Sequence, residues 1–151
     1  MKNKNCGVML LSSDFNMIHS NIIKQNDNFG IKIMSSDNNT IYNNYFSSNQ
    51  ENAKDISLES NGNQWFHENI TSQNIIYGPI IAGNYWNDYV GVDENRDGLG
   101  DSPYIIEGGD KSDERPIVYR RPLADAGGPY SGSVFESILF DGAEVVMLMT
   151  A

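Results

Sequence analysis

Gly7-Val8-Met9-Leu10-Leu11-Ser12-Ser13-Asp14-Phe15-Asn16 returns 23 residues later as Gly30-Ile31-Lys32-Ile33-Met34-Ser35-Ser36-Asp37-Asn38-Asn39. The offset runs on through Ile18/Ile41, Asn21/Asn44, Ile23/Phe46 and Asn26/Asn49. A third, worn copy starts at Ala53, with Ile56 and Leu58 apolar and Asn63-Gln64-Trp65 standing where Asn39-Thr40-Ile41 stand. Insertions shift its register, so Glu68 falls near the Asn44 place with Asn69 beside it. Self-similarity at a fixed period of this size marks an architecture built from one supersecondary unit used several times.

Within each copy the apolar runs are short, alternate with polar residues and are punctuated by Ser, Asp, Asn and Gly, the pattern of brief strands joined by tight bends. Ile31 and Ile33 are expected on one face and Lys32 on the other. A 23-residue unit of this kind cannot bury its apolar side alone, but it can against a neighbour about 4.8 Å away. The expected fold is therefore all-β, a parallel solenoid of about three 23-residue coils. At the bends Asn tolerates a left-handed backbone, and its amide can bond the Asn of the next copy. Asn16/Asn39, Asn21/Asn44 and Asn26/Asn49 are the expected ladders. Trp65, at the place of Ile41, is expected inside.

The 151 residues carry a formal net charge of −10. Nucleic acid is excluded as a partner, since phosphate binding needs a positive field. No apolar run is long enough for membrane insertion as a helix, and Cys6 stands alone, so no intrachain disulfide forms. The charge is uneven. Residues 88–114 hold nine acids and two bases, while all nineteen asparagines lie at or before Asn95.

Residues 7–77 resemble the right-handed parallel β-helix repeats of the NosD-like, carbohydrate-binding and sugar-hydrolysis (CASH) group. The stretch Gly83-Asn84-Tyr85-Trp86-Asn87-Asp88-Tyr89, followed by Gly91 to Tyr104, is similar to the block that closes such helices in archaeal surface proteins. The resemblance implies a right-handed helix over 1–115 with its closing block at 78–115. It also implies an extracellular or cell-surface location, and a structural or adhesive role whose partners are carbohydrate or other surface-protein domains. Tyr85, Trp86 and Tyr89 are expected to cover the open end of the solenoid rather than to stack on sugars.

Asp93, Asn95, Asp97 and Gly98 sit at positions 1, 3, 5 and 6 of a calcium-loop pattern, with the Leu99 carbonyl at position 7 and Asp101 at position 9. Calcium takes six to eight oxygens, and alternate side chains around a tight turn deliver them to one point. Position 12 is Tyr104 rather than a bidentate Glu, so water or a carboxylate such as Asp88, Asp110 or Asp113 would complete the shell. A structural Ca²⁺ held by Asp93, Asn95, Asp97, Leu99 and Asp101 is the expected cofactor; the alternative is a solvated acidic turn.

Two alternatives concern chemistry. A polysaccharide lyase or hydrolase would use paired carboxylates, and Asp14 and Asp37 stand at the repeat offset. Both, however, occupy the same Ser-Ser-Asp turn and no base neighbours them. A periplasmic copper-binding NosD-like protein would use His19 and His67, the two histidines, but these are expected near 10 Å apart, two coils distant. Met34 aligns with Leu11 and reads as core. No enzymatic activity is expected.

Residues 116–123 read as a linker. Residues 124–151, from Ala124-Asp125-Ala126-Gly127-Gly128-Pro129 to Asp141-Gly142, resemble the opening strands of a polycystic-kidney-disease (PKD) type domain. Such a sandwich needs about 100 residues, so a truncated stub without stable structure is expected.

Overall fold

The computed structural model describes residues 5–57 and 62–119. These belong to a unit running from Met1 to Arg120; the second unit, Arg121–Ala151, which carries the expected PKD-like stub, lies outside the described residues.

The first copy of the repeat forms β1 (Val8–Leu11), β2 (Met17–His19) and β3 (Ile22–Lys24), and the second forms β4 (Phe29–Met34), β5 (Thr40–Tyr42) and β6 (Tyr45–Ser47). Then come β7 (Glu51–Asp55), β8 (Ile70–Thr71), β9 (Ile80–Ile81), β10 (Tyr85–Trp86), β11 (Tyr104–Ile105) and β12 (Ser112–Asp113). Copies one and two pair in parallel, strand by strand. Val8 lies opposite Ile31, Ile18 opposite Ile41 and Ile23 opposite Phe46.

The bends repeat as faithfully as the strands. Ser12/Ser35, Phe15/Asn38, Ser20/Asn43 and Gln25/Ser48 all take left-handed conformations, with φ between 45° and 59°. Most of these corner residues are not asparagine. In six of the eight cases the ladder Asn comes immediately after the left-handed residue: Asn16, Asn21, Asn26, Asn39, Asn44 and Asn49. The corner bends the chain there, and the following Asn bonds across to its counterpart in the next copy.

A continuous right-handed solenoid of three 23-residue coils is not what the chain forms. Among the described residues the strands lie in five small, mostly separate sheets: β1-β4-β7, β3-β6-β10 and β2-β5 are parallel, while β8-β9 and β11-β12 are antiparallel. The third copy breaks the period. β7 pairs with β4 at an offset of 22, Ile31 to Ala53, and Gln64 bridges Thr40 at 24. β10 then reaches β6 at 40, Trp86 to Phe46, because the β8-β9 hairpin and its flanks intervene. With no constant period, no regular coil can propagate. The fold is all-β, a two-copy parallel frame completed by irregular segments.

The core follows from the alternation. Ile31 and Ile33 are fully buried, as are Ile41, Phe46 and Trp65, and Ile23, Trp86 and Ile106 join them. Aromatic rings extend one column of it: Phe46 stacks on Trp86 at 4.4 Å, and Trp86 on Tyr104 at 4.1 Å. A second cluster gathers Ile76, Ala82, Leu99 and Ile117.

Candidate functional site

Asparagine is the residue type that the frame concentrates inside, and three chains of amide hydrogen bonds result. In the first, the backbone N–H and Nδ2 of Asn16 both donate to Asn39 Oδ1, at 2.8 and 2.9 Å. Asn39 donates in the same way to Asn63 Oδ1 at 3.0 and 2.8 Å, and Asn63 Nδ2 donates to Asp55 Oδ2 at 2.8 Å. The second runs from Asn21 to Asn44 to Asn84, and ends where the backbone N–H of Asn84 donates to Asp113 Oδ2 at 2.6 Å. The third runs from Asn26 to Asn49 to Asn52, whose Nδ2 donates to Asp88 Oδ1 at 2.8 Å.

Each ladder has one direction and ends on an acid. An amide in the middle accepts on its oxygen and donates from its nitrogen; the last member needs only to accept, and a carboxylate supplies acceptors alone. Asp55 and Asp113 also take the indole N–H of a buried tryptophan, Trp65 at 3.4 Å and Trp86 at 2.9 Å respectively. Lys111 Nζ stands 4.0 Å from Asp55 Oδ1. Asp113 is fully buried, and burial pushes its carboxyl up to about 7 against N–H donors from Asn84, Trp86 and Arg115 that favour ionisation. Gly83 makes room for it, since a Cβ there would collide with the Asp113 carboxylate and the Arg115 carbonyl.

The expected Asn16/Asn39, Asn21/Asn44 and Asn26/Asn49 ladders are all present. Their ends were not legible at the same level. Asn84, not Glu68 or Asn69, takes the place above Asn44. The signal for it stands in the sequence: Asn84-Tyr85-Trp86 repeats Asn44-Tyr45-Phe46.

The acidic loop brings its expected members together, but onto its own backbone. Asp93 Oδ1 and Asn95 Oδ1 both accept from the Asp97 N–H, at 3.1 and 2.9 Å. Asp93 Oδ2 accepts from Gly98 N–H at 3.0 Å, and Asp97 Oδ1 from Leu99 N–H at 2.8 Å. Asp101 Oδ2 accepts from the Glu94 N–H at 2.7 Å. The Leu99 side chain is in the second core cluster, and its backbone bridges Ile117. Gly98, at φ 94°, makes the sharp bend. Two of the carboxylates considered for completing a calcium shell are occupied elsewhere: Asp88 by Asn52 and the Tyr104 hydroxyl, Asp113 by its ladder. Among the described residues no group of three or more His, Cys, Asp and Glu side chains is arranged to hold a metal ion.

His19 and His67 do share a column, with Tyr42 between them. Their rings lie 5.0 and 4.9 Å from the Tyr42 ring, and the Tyr42 hydroxyl donates to Met17 Sδ at 3.6 Å. The tyrosine occupies the place that a shared ion would need. Asp14 and Asp37 meet as turn residues, Asp14 Oδ1 accepting from the Asp37 backbone N–H at 2.8 Å. Trp65 and Trp86 are buried, Tyr85 stacks on Tyr45 at 4.6 Å, and the Tyr89 hydroxyl donates to the Ser102 carbonyl at 2.7 Å.

A family profile described as "Periplasmic copper-binding protein (NosD)" matches residues 1–91. No curated protein and no solved structure matches the chain. The copper in that description finds no fitting ligand set among the described residues, because Tyr42 separates the two histidines.

Proposed function

The chain belongs to the NosD family, and from that premise we propose that it is a non-catalytic module of a periplasmic or cell-surface protein, serving as a structural or adhesive element that contacts glycans. One observation carries this reading. Asp37 Oδ1 is buried without a hydrogen-bond partner, but four other carboxylates are committed to the frame, where Asp55, Asp88 and Asp113 terminate amide ladders and Asp14 holds a turn. A glycosidase needs an acid and a base or nucleophile facing one sugar from two sides, and these side chains face N–H groups instead. No helix among the described residues is long and apolar enough to cross a membrane.

The test pairs retention with turnover. The purified protein is mixed with insoluble polysaccharides, and the supernatant is assayed for depletion of protein and for release of reducing ends or unsaturated products. Retention without product is the expected result. Product release that disappears in Asp14→Asn or Asp37→Asn would establish the enzyme instead.

A further inference from the structure

The irregular segment that breaks the period builds a cleft that the frame does not require. An open cleft of about 570 Å³ lies between Thr71–Pro79 and the pair Val118–Tyr119, and none of the side chains lining it is charged. Its size is within the range of small-ligand sites, about 300–1,000 Å³. Two tyrosines flank it. Tyr77 is 82% exposed and Tyr119 is 58% exposed, so neither is held there by burial.

Tyr77 also stands at a left-handed corner. Its φ is 65°, a left-handed conformation that bulky side chains rarely adopt and that costs on the order of 1–3 kcal/mol. Glycine or asparagine would suit the turn better. The buried Asn74 holds it nonetheless: its Oδ1 accepts from the N–H groups of Ile76 and Gly78, its Nδ2 donates to the Ile80 carbonyl, and its carbonyl accepts from Tyr77 N–H. The Tyr77 ring is thereby held beside the cleft, at a corner of the same left-handed kind that carries the exposed Phe15 on the first copy. Tyr119 is fixed differently, its ring edge-on to Tyr85 at 5.2 Å, with Tyr85 stacked on Tyr45.

We propose that this cleft binds a neutral saccharide, an inference that rests on the glycan-contacting reading above and gives it a site and a ligand class. The apolar C–H face of a pyranose ring packs on the exposed tyrosine rings, which bring contact area at low entropic cost. The Gln73 amide and the Ser72 and Thr71 hydroxyls meet its hydroxyl groups. Neutrality follows from the lining, which offers no charged side chain to pair with a uronate or a phosphate.

Calorimetric titration with neutral oligosaccharides and with an oligouronate tests this on three proteins: the natural chain, Tyr77→Asn and Tyr119→Ala. Tyr77→Asn removes the ring while suiting the left-handed turn, so its melting temperature is expected to hold or rise. Phe15→Ala, 81% exposed on the first copy, is the control. The expected result is binding of a neutral oligosaccharide that weakens at least tenfold in each tyrosine variant and is unchanged in the control. Binding that survives both tyrosine changes would overturn this site while leaving the glycan reading intact. Preference for the oligouronate would overturn the ligand class. A natural chain that binds no saccharide would overturn the site and the reading together.

Discussion

Asn44 shows what the ladder asks of one side chain. Fully buried, it accepts two hydrogen bonds from Asn21 and donates to Ile18, Tyr42 and Asn84. Asn44→Ala would leave these partners unsatisfied out of reach of water, and each buried unpaired group costs about 1–3 kcal/mol. A loss of about 3 kcal/mol or more in urea unfolding is expected. Asn44→Asp should not rescue it, because a carboxylate there would face the Asn84 carbonyl oxygen with no proton to give. Asp113 sets a pH dependence of definite sign. Its folded carboxyl lies near 7, above its ordinary value of 3.8. The stability linked to it is therefore full below about pH 4 and is lost as pH rises through 7, by about 4 kcal/mol over that window at 1.36 kcal/mol per unit. Unfolding titrations of the natural chain and Asp113→Asn should differ by that slope between pH 4 and 7.

At the level of elements, β1 to β6 were legible because alternation, bends and ladder residues all repeat at one offset. The third copy was only half legible, and the reasons are physical. Its core positions grow along the stack, Ile23 to Phe46 to Trp86, so identity fades while the packing role is kept. The hairpin of β8 and β9 also moves the pairing of β10 far from the expected register. The stack of Phe46, Trp86 and Tyr104 adds side-chain packing to the β6–β10 pairing that joins that displaced strand to the frame. Trp86→Leu keeps an apolar side chain but loses the ring contacts to Phe46, Tyr104 and Trp65 and the indole bond to Asp113. It should cost about 3 kcal/mol, read by thermal unfolding. Gly83→Ala is expected to be worse still, since the added methyl has nowhere to go beside Asp113; it should reach the soluble fraction poorly at 37 °C.

Over the described residues as a whole, the acidic character of the chain turns out to have two uses. Part of it closes the amide ladders, and part folds the 93–101 loop onto its own N–H groups. The sequence located the loop and its members, because Asp-x-Asn-x-Asp-Gly is a local pattern. It did not locate the cleft, since Tyr77 and Tyr119 are 42 positions apart and share no motif. The central claim is that the frame is structural and that recognition happens at its irregular edge, without cleavage. Amide chemical-shift mapping with a soluble neutral oligosaccharide tests that most directly. Shifts confined to residues 71–79 and 118–119, with the sugar recovered intact, are the predicted result. Shifts centred on Asp14 and Asp37, accompanied by cleavage of the sugar, would contradict it.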